Sequence, residues 1–223
     1  MAERSRGAGA KRDVAADADL PLYPGIALAD IVLVDSAAAD SVAVADLLAA
    51  DAVGFDTESK PTFAKGEIST GPHLVQLATD AKAYLFPVDR LPGLGGLKAV
   101  LESTRVCKVG FGLDSDVARL KSKFGIDLRN VVDLAVTLRA AGEKNTVGAR
   151  AAVIRHFGQR LQKSRRVSTS NWALPQLSES QMRYAADDAQ VSLRLYRATQ
   201  PQPPAPPPGL WRRLLRWLGL GRR

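Results

Sequence analysis

Asp56, Glu58, Asp116, Tyr184 and Asp188 are the residues whose types and spacing could do chemistry together. The first two lie in Val53-Gly54-Phe55-Asp56-Thr57-Glu58, whose small and apolar residues read as a buried strand, so both carboxylates project from one face. Tyr184 and Asp188 sit in a stretch of helical period, where a spacing of four stacks them on one helix face about 6 Å apart. Carboxylates crowded in this way repel one another and lose hydration unless some hold protons or a divalent ion compensates them. Hard oxygen donors favour Mg2+ or Mn2+, and two such ions about 3.5–4 Å apart can clamp a phosphodiester, one activating water and the other stabilising the leaving oxygen. Only His73, His156 and Cys107 could supply nitrogen or sulfur ligands, so a zinc site is disfavoured.

The elements that must carry these residues follow from hydrophobic period and turn signals. The apolar run Ile31-Val32-Leu33-Val34 precedes an alanine-rich helix near 41–50 and the Asp56 strand. His73 to Ala78 and Ala83 to Val88 read as two further strands, so 53–88 is expected to form a three-stranded meander. Beyond Gly93 the chain alternates: a helix near 94–102, a strand at Arg105 to Gly110, and a helix from about Ser115 with Val117, Leu120 and Phe124 in one stripe. Such alternation indicates an α/β sheet. Asp116 falls in the first turn of that last helix with Asp114 as a candidate N-cap, so simple capping competes locally with a role in a site. Asp133, after Val131-Val132, is expected to end a strand and cap the next helix. Ser178-Glu179-Ser180-Gln181 forms a capping box that starts the Tyr184 helix, and Met182, Ala185, Ala189, Leu193 and Tyr196 give it an inward stripe. Asp187 is the rival acid, but Asp188 faces the same way as Tyr184.

Charge narrows the partners. The 223 residues carry a formal net charge of +8, which suits a polyanion without specifying a fold. From Lys144 to Ser178 there are seven basic residues (Lys144, Arg150, Arg155, Arg160, Lys163, Arg165, Arg166) and no acid. That stripe reads either as a solvated face or as phosphate contacts positioning a nucleic acid strand, with Lys163, Arg165 and Arg166 as candidates and Trp172 either stacking on a base or belonging to the core. His73 and His156 read as packing or surface residues. A lone cysteine in the apolar run Val106-Cys107-Lys108-Val109 excludes an internal disulfide and fits a reducing, cytoplasmic setting.

Phe55-Asp56-Thr57-Glu58, Val109-Gly110-Phe111-Gly112-Leu113-Asp114-Ser115-Asp116 and Tyr184-Ala185-Ala186-Asp187-Asp188 resemble the three motifs of the DEDDy 3′-5′ exonucleases, a family that includes ribonuclease D and the Werner syndrome exonuclease domain. The resemblance covers about residues 25–199, and Ser170-Asn171-Trp172 adds to it. It implies a ribonuclease H-like mixed sheet flanked by helices, and removal of nucleoside 5′-monophosphates from single-stranded or frayed 3′ ends of RNA or DNA. By the same resemblance Asp56, Glu58 and Asp188 would ligate one metal ion and Asp56 would also touch a second. Asp116 would hold the second ion through water, and Tyr184 would orient the attacking water. The alternative is a non-catalytic nucleic-acid-binding or adaptor protein on the same fold, against which stands the persistence of so repulsive a cluster.

The remaining segments are organisational. Residues 1–20 read as a mixed-charge, alanine-rich disordered leader without an apolar h-region, and 21–200 as the exonuclease-like domain. Residues 201–209 form a proline-rich, stiff linker where ribonuclease D continues into a helical nucleic-acid-binding domain, which leaves the choice between RNA and DNA open. In 210–223, Trp211, Leu214, Leu215 and Leu218 fall within about 100° of a helical wheel opposite Arg212, Arg213 and Arg216. This basic amphipathic helix is too short to span a bilayer and suits docking onto the domain, an anionic membrane surface or nucleic acid equally. Oligomeric state is not legible.

Overall fold

The computed structural model describes residues 19–200 apart from Phe63 and Lys65. The expected leader, except its last two residues, and the expected linker and C-terminal helix lie outside the described residues.

In chain order the regular elements are β1 (Ile31–Leu33), α1 (Ala37–Ala49), β2 (Ala52–Glu58), β3 (Leu74–Ala78), β4 (Ala83–Pro87), α2 (Gly95–Leu101), β5 (Cys107–Gly110), α3 (Asp114–Phe124), β6 (Val131–Asp133), α4 (Leu134–Thr137), α5 (Ala149–Phe157), α6 (Arg165–Ser168) and α7 (Glu179–Thr199). They build one six-stranded mixed sheet of order β1-β4-β3-β2-β5-β6. The meander is present: β2 pairs antiparallel with β3 and β3 with β4, while β1, β5 and β6 join in parallel. Elements begin and end within a few residues of expectation, α1 starting earliest because Ser36 accepts the Ala39 amide and opens the helix there.

Alternation along the strands sorts two cores. Val53 and Phe55 of β2 face one side with Val75, Leu77, Tyr84 and Phe86, where they bury Leu47 of α1, Leu97 and Leu101 of α2 and Leu120 of α3. The opposite face of the central strands takes Leu74, Ala78, Ala83 and Leu85 against Ala185, Ala186 and Ala189 of α7. Small residues on both sides let α7 lie unusually close. A Cβ on Gly54 would stand 1.8 Å from the Ala189 carbonyl oxygen, so only glycine permits this approach.

Asp133 caps α4 as expected, accepting the Ala135 amide, and also accepts from the Gly112 and Leu113 amides ahead of α3. Asp114 does not cap α3. The N-cap is Leu113, whose apolar side chain cannot cap; its carbonyl accepts the Asp116 and Val117 amides, and the turn through Gly112 (φ 66°) is held by Asp133. The capping box at Ser178 and Gln181 is formed, fixing the start of α7.

Candidate active site

Strand β2 runs out of the core at its C-terminal end, where Asp56 and Glu58 follow Gly54 on the α7 face and are half-buried. Crossing above them, α7 presents Tyr184 and the buried Asp188. The close passage allowed by Gly54 is what brings the helix carboxylate over the strand carboxylates. Helix α3 begins at the same end of the sheet, and the side chain of its buried Asp116 accepts a short hydrogen bond from the Thr57 hydroxyl. Ser115 adds a long bond at 3.5 Å. Five side chains far apart in the chain thus share one site.

Electrostatics show how closely they are coupled. Burial, then the neighbouring Asp188 carboxylate, pushes the Asp56 carboxyl well above the usual carboxylate range. Burial and the charges of Asp56 and Asp188 raise Glu58 to about 9. Burial raises Asp116 despite the stabilising Thr57 bond, and raises Asp188 despite a cation beside it. Tyr184 is pushed up to about 12 by burial and by Asp188, so its hydroxyl keeps its proton at neutral pH. A donor and acceptor that does not ionise can orient water without competing as a base.

The cation beside Asp188 is Lys163. Its ammonium lies 2.9 Å from Asp188 Oδ1 and 3.0 Å from Oδ2, and 5.6 Å from the centre of the Tyr184 ring. Burial draws the lysine pKa down, but the attraction of Asp188, Tyr184 and Asp56 more than offsets it and the net shift is upward. Among the described residues, no three of His, Cys, Asp and Glu stand in ready metal-binding geometry. Both Asp188 oxygens face Lys163, and Asp116 faces Thr57. The donor set itself is hard oxygen, acidic and under-compensated, which fits Mg2+ or Mn2+ after side-chain rotation.

Other expectations change. Trp172 is only 2 % exposed, donates its indole N–H to the Ser168 carbonyl at 3.3 Å, and stands 6.0 Å from the Tyr184 ring. It presents no free face to a base, and the stacking role is corrected to a buttress behind Tyr184. Arg165 and Arg166 are exposed on α6, beside Lys163. Asp187 points away from the site and accepts the Ile26 amide at 2.9 Å. His73 is buried with both ring nitrogens hydrogen-bonded, to the Lys60 amide and the Thr70 hydroxyl, whereas His156 is exposed. Sequence reasoning missed Thr57 as the partner of Asp116. It also missed Gln76, which pairs with Asp56 across the ladder, is fully buried, and finds no hydrogen-bond partner for either amide atom. Only its alternation with Val75 and Leu77 could have placed it on the α7 face.

A mixed sheet whose central strand ends in carboxylates beneath a crossing helix defines the ribonuclease H-like class, and solved structures agree. The fold matches ribonuclease D of Trypanosoma brucei, in a complex with RNA U12, with a TM-score of 0.69 and 22% identity, over 79% of this chain and 64% of that one. It matches Escherichia coli ribonuclease D with a TM-score of 0.65 and 22% identity, over 76% and 45% of the two chains. The family model for 3′-5′ exonuclease matches residues 31–202, and the chain belongs to that family. The mouse bifunctional 3′-5′ exonuclease/ATP-dependent helicase WRN is 30% identical over 65% of this chain, and an Arabidopsis thaliana 3′-5′ exonuclease is 29% identical over 68%. The matched stretch spans only 10% of the mouse protein and 54% of the plant protein.

Proposed function

We propose that this protein is a metal-dependent 3′-5′ exonuclease that hydrolyses the terminal phosphodiester of single-stranded or frayed nucleic acid and releases nucleoside 5′-monophosphates. The observation that carries the reading is the convergence of Asp56, Glu58, Asp116 and Asp188 around one end of β2, where burial and repulsion keep protons on carboxyls that divalent cations could replace. Asp56, Glu58 and Asp188 would hold one divalent ion and Asp56 and Asp116 a second; when bound, such ions lower the pKa of water and stabilise the leaving oxygen. Tyr184 keeps its proton and orients the attacking water by hydrogen bonding. Trp172 limits the swing of the Tyr184 ring from behind. Arg165 and Arg166, exposed on α6, supply phosphate contacts that hold the strand irrespective of its sequence. The complex of a trypanosomal ribonuclease D with RNA favours RNA as the first substrate to try.

The test is incubation of 5′-labelled RNA and DNA oligonucleotides, single-stranded or with recessed 3′ ends, with Mg2+ or Mn2+. A ladder shortened from the 3′ end and absent in Asp56→Ala and Asp188→Ala is expected. Binding without shortening in the unaltered protein would favour the adaptor reading instead.

A further inference from the structure

Lys163 is more than one of several basic residues near the strand path. It emerges between α5 and α6, and its backbone is pinned on both sides: its carbonyl accepts from Arg150 at 3.4 Å, and the next residue, Ser164, caps α6. From that fixed base the side chain reaches both oxygens of Asp188, at 2.9 and 3.0 Å. A carboxylate whose two oxygens both accept from one ammonium already has its charge compensated, so a metal ion arriving beside Asp56 and Glu58 must compete with Lys163 for it. The side chain is also 29% exposed, so the ammonium has a route to solvent that Asp188, at 6%, lacks. A compact ammonium on a flexible stem can leave such a site, whereas a forked guanidinium would grip the carboxylate bidentately.

We propose that Lys163 is a displaceable internal cation: it holds Asp188 until a divalent ion takes the carboxylate, so that loading of the site is an exchange of one cation for another. This inference rests on the metal-dependent reading above and goes beyond it by assigning a competitor for the ligand on α7. The exchange balances at Asp188 as one ammonium leaving both carboxylate oxygens while the dication arrives, and the protons that burial keeps on the neighbouring carboxyls pass to solvent as those groups become ligands. It makes metal occupancy weaker and more dependent on ion concentration than the four acids alone would give. The released ammonium stays tethered beside Tyr184, where an anionic phosphate oxygen would next attract it.

The experiment measures Mn2+ binding to the full chain without nucleic acid, by electron paramagnetic resonance of free Mn2+ and by calorimetry. Lys163→Met is expected to bind Mn2+ about tenfold tighter or more, since a positive charge and a competitor are both removed. Lys163→Arg is expected to bind no tighter than the unaltered protein. Adding Asp188→Asn to Lys163→Met should erase the gain, because the coupling runs through that carboxylate. A merely structural lysine predicts the opposite sign, weaker binding in the Met variant. Unchanged or weaker Mn2+ affinity in Lys163→Met, with binding still lost in Asp56→Ala, overturns the exchange while leaving the metal-dependent reading in place. Absence of site-specific Mn2+ binding in every variant overturns both.

Discussion

Asp51 and Asp56 flank the same strand, yet their carboxyls are driven in opposite directions. Asp51, just before β2, is exposed and meets the Arg197 guanidinium through two hydrogen bonds of 2.6 and 2.7 Å. That arginine, shared with Asp80, holds Asp51 down at about 2. Asp56, at the other end, lies among three other acids with one lysine in reach, and burial drives it upward. The first cluster meets the last turn of α7 at Arg197, and the second meets its N-terminal half at Tyr184 and Asp188. Residue type is the same in both; solvent and the ratio of positive to negative charge decide the outcome. One end is a surface ion-pair network, and the other is a set of buried carboxyls with too few cations to ionise together.

The sharpest way to break this contrast is at the acidic end. Asp56→Ala should lower kcat on a labelled oligonucleotide by about a thousandfold or more, since metal-assisted stabilisation of the transition state amounts to several kcal/mol. Thermal stability measured without metal should hold or rise at alkaline pH, where a carboxylate repelled by Asp188 is removed. Trp172→Ala should then cost about 3–5 kcal/mol in urea unfolding, as expected for a buried tryptophan, and reduce activity by freeing Tyr184. Trp172→Phe should recover most of both. Gly54→Ala places a methyl group against the Ala189 carbonyl, and overpacking of this kind costs about 1–3 kcal/mol, with activity falling further than stability because Asp188 is lifted off Asp56.

The pH dependence of stability should differ in sign between the two ends. Glu58 has a folded value of about 9 against an ordinary 4.5, so its contribution is complete below the unfolded value and is lost as pH rises towards 9. In a chelator, the melting temperature should therefore decline from pH 5 to pH 9, and Mg2+ should restore it most at the alkaline end. Asp51 behaves oppositely: its contribution is present above 3.8 and is lost as pH falls towards 2. Its amplitude is small because the pair is open to solvent. Arg197→Ala accordingly should cost less than about 1 kcal/mol and leave exonuclease activity unchanged. A large loss of activity in that variant would erase the distinction between the two ends.

Much of the site was legible because its signals are local. Period-2 alternation put Asp56 and Glu58 on one face, a spacing of four put Tyr184 with Asp188, and the capping box set the phase of α7. Asp114 misled for an equally local reason: it has a good capping residue's chemistry, but the helix starts one residue earlier, with the Asp116 and Val117 amides already donating to the Leu113 carbonyl. Trp172 misled because an aromatic residue in a basic stripe looks the same whether it faces solvent or the ring of Tyr184. Thr57, Gln76 and the Lys163 contact were invisible because each depends on a partner brought close by the fold.

By itself, then, the order of residues determined which side chains share a strand face or a helix face, since those relations follow from backbone periods of fixed length. Tertiary structure alone decided the distance between the faces, through the bare Cα of Gly54 beneath α7, and with it the charge balance at each end of the helix. Coulombic and desolvation effects change steeply over a few ångströms, and no periodicity along a chain encodes separations of that kind.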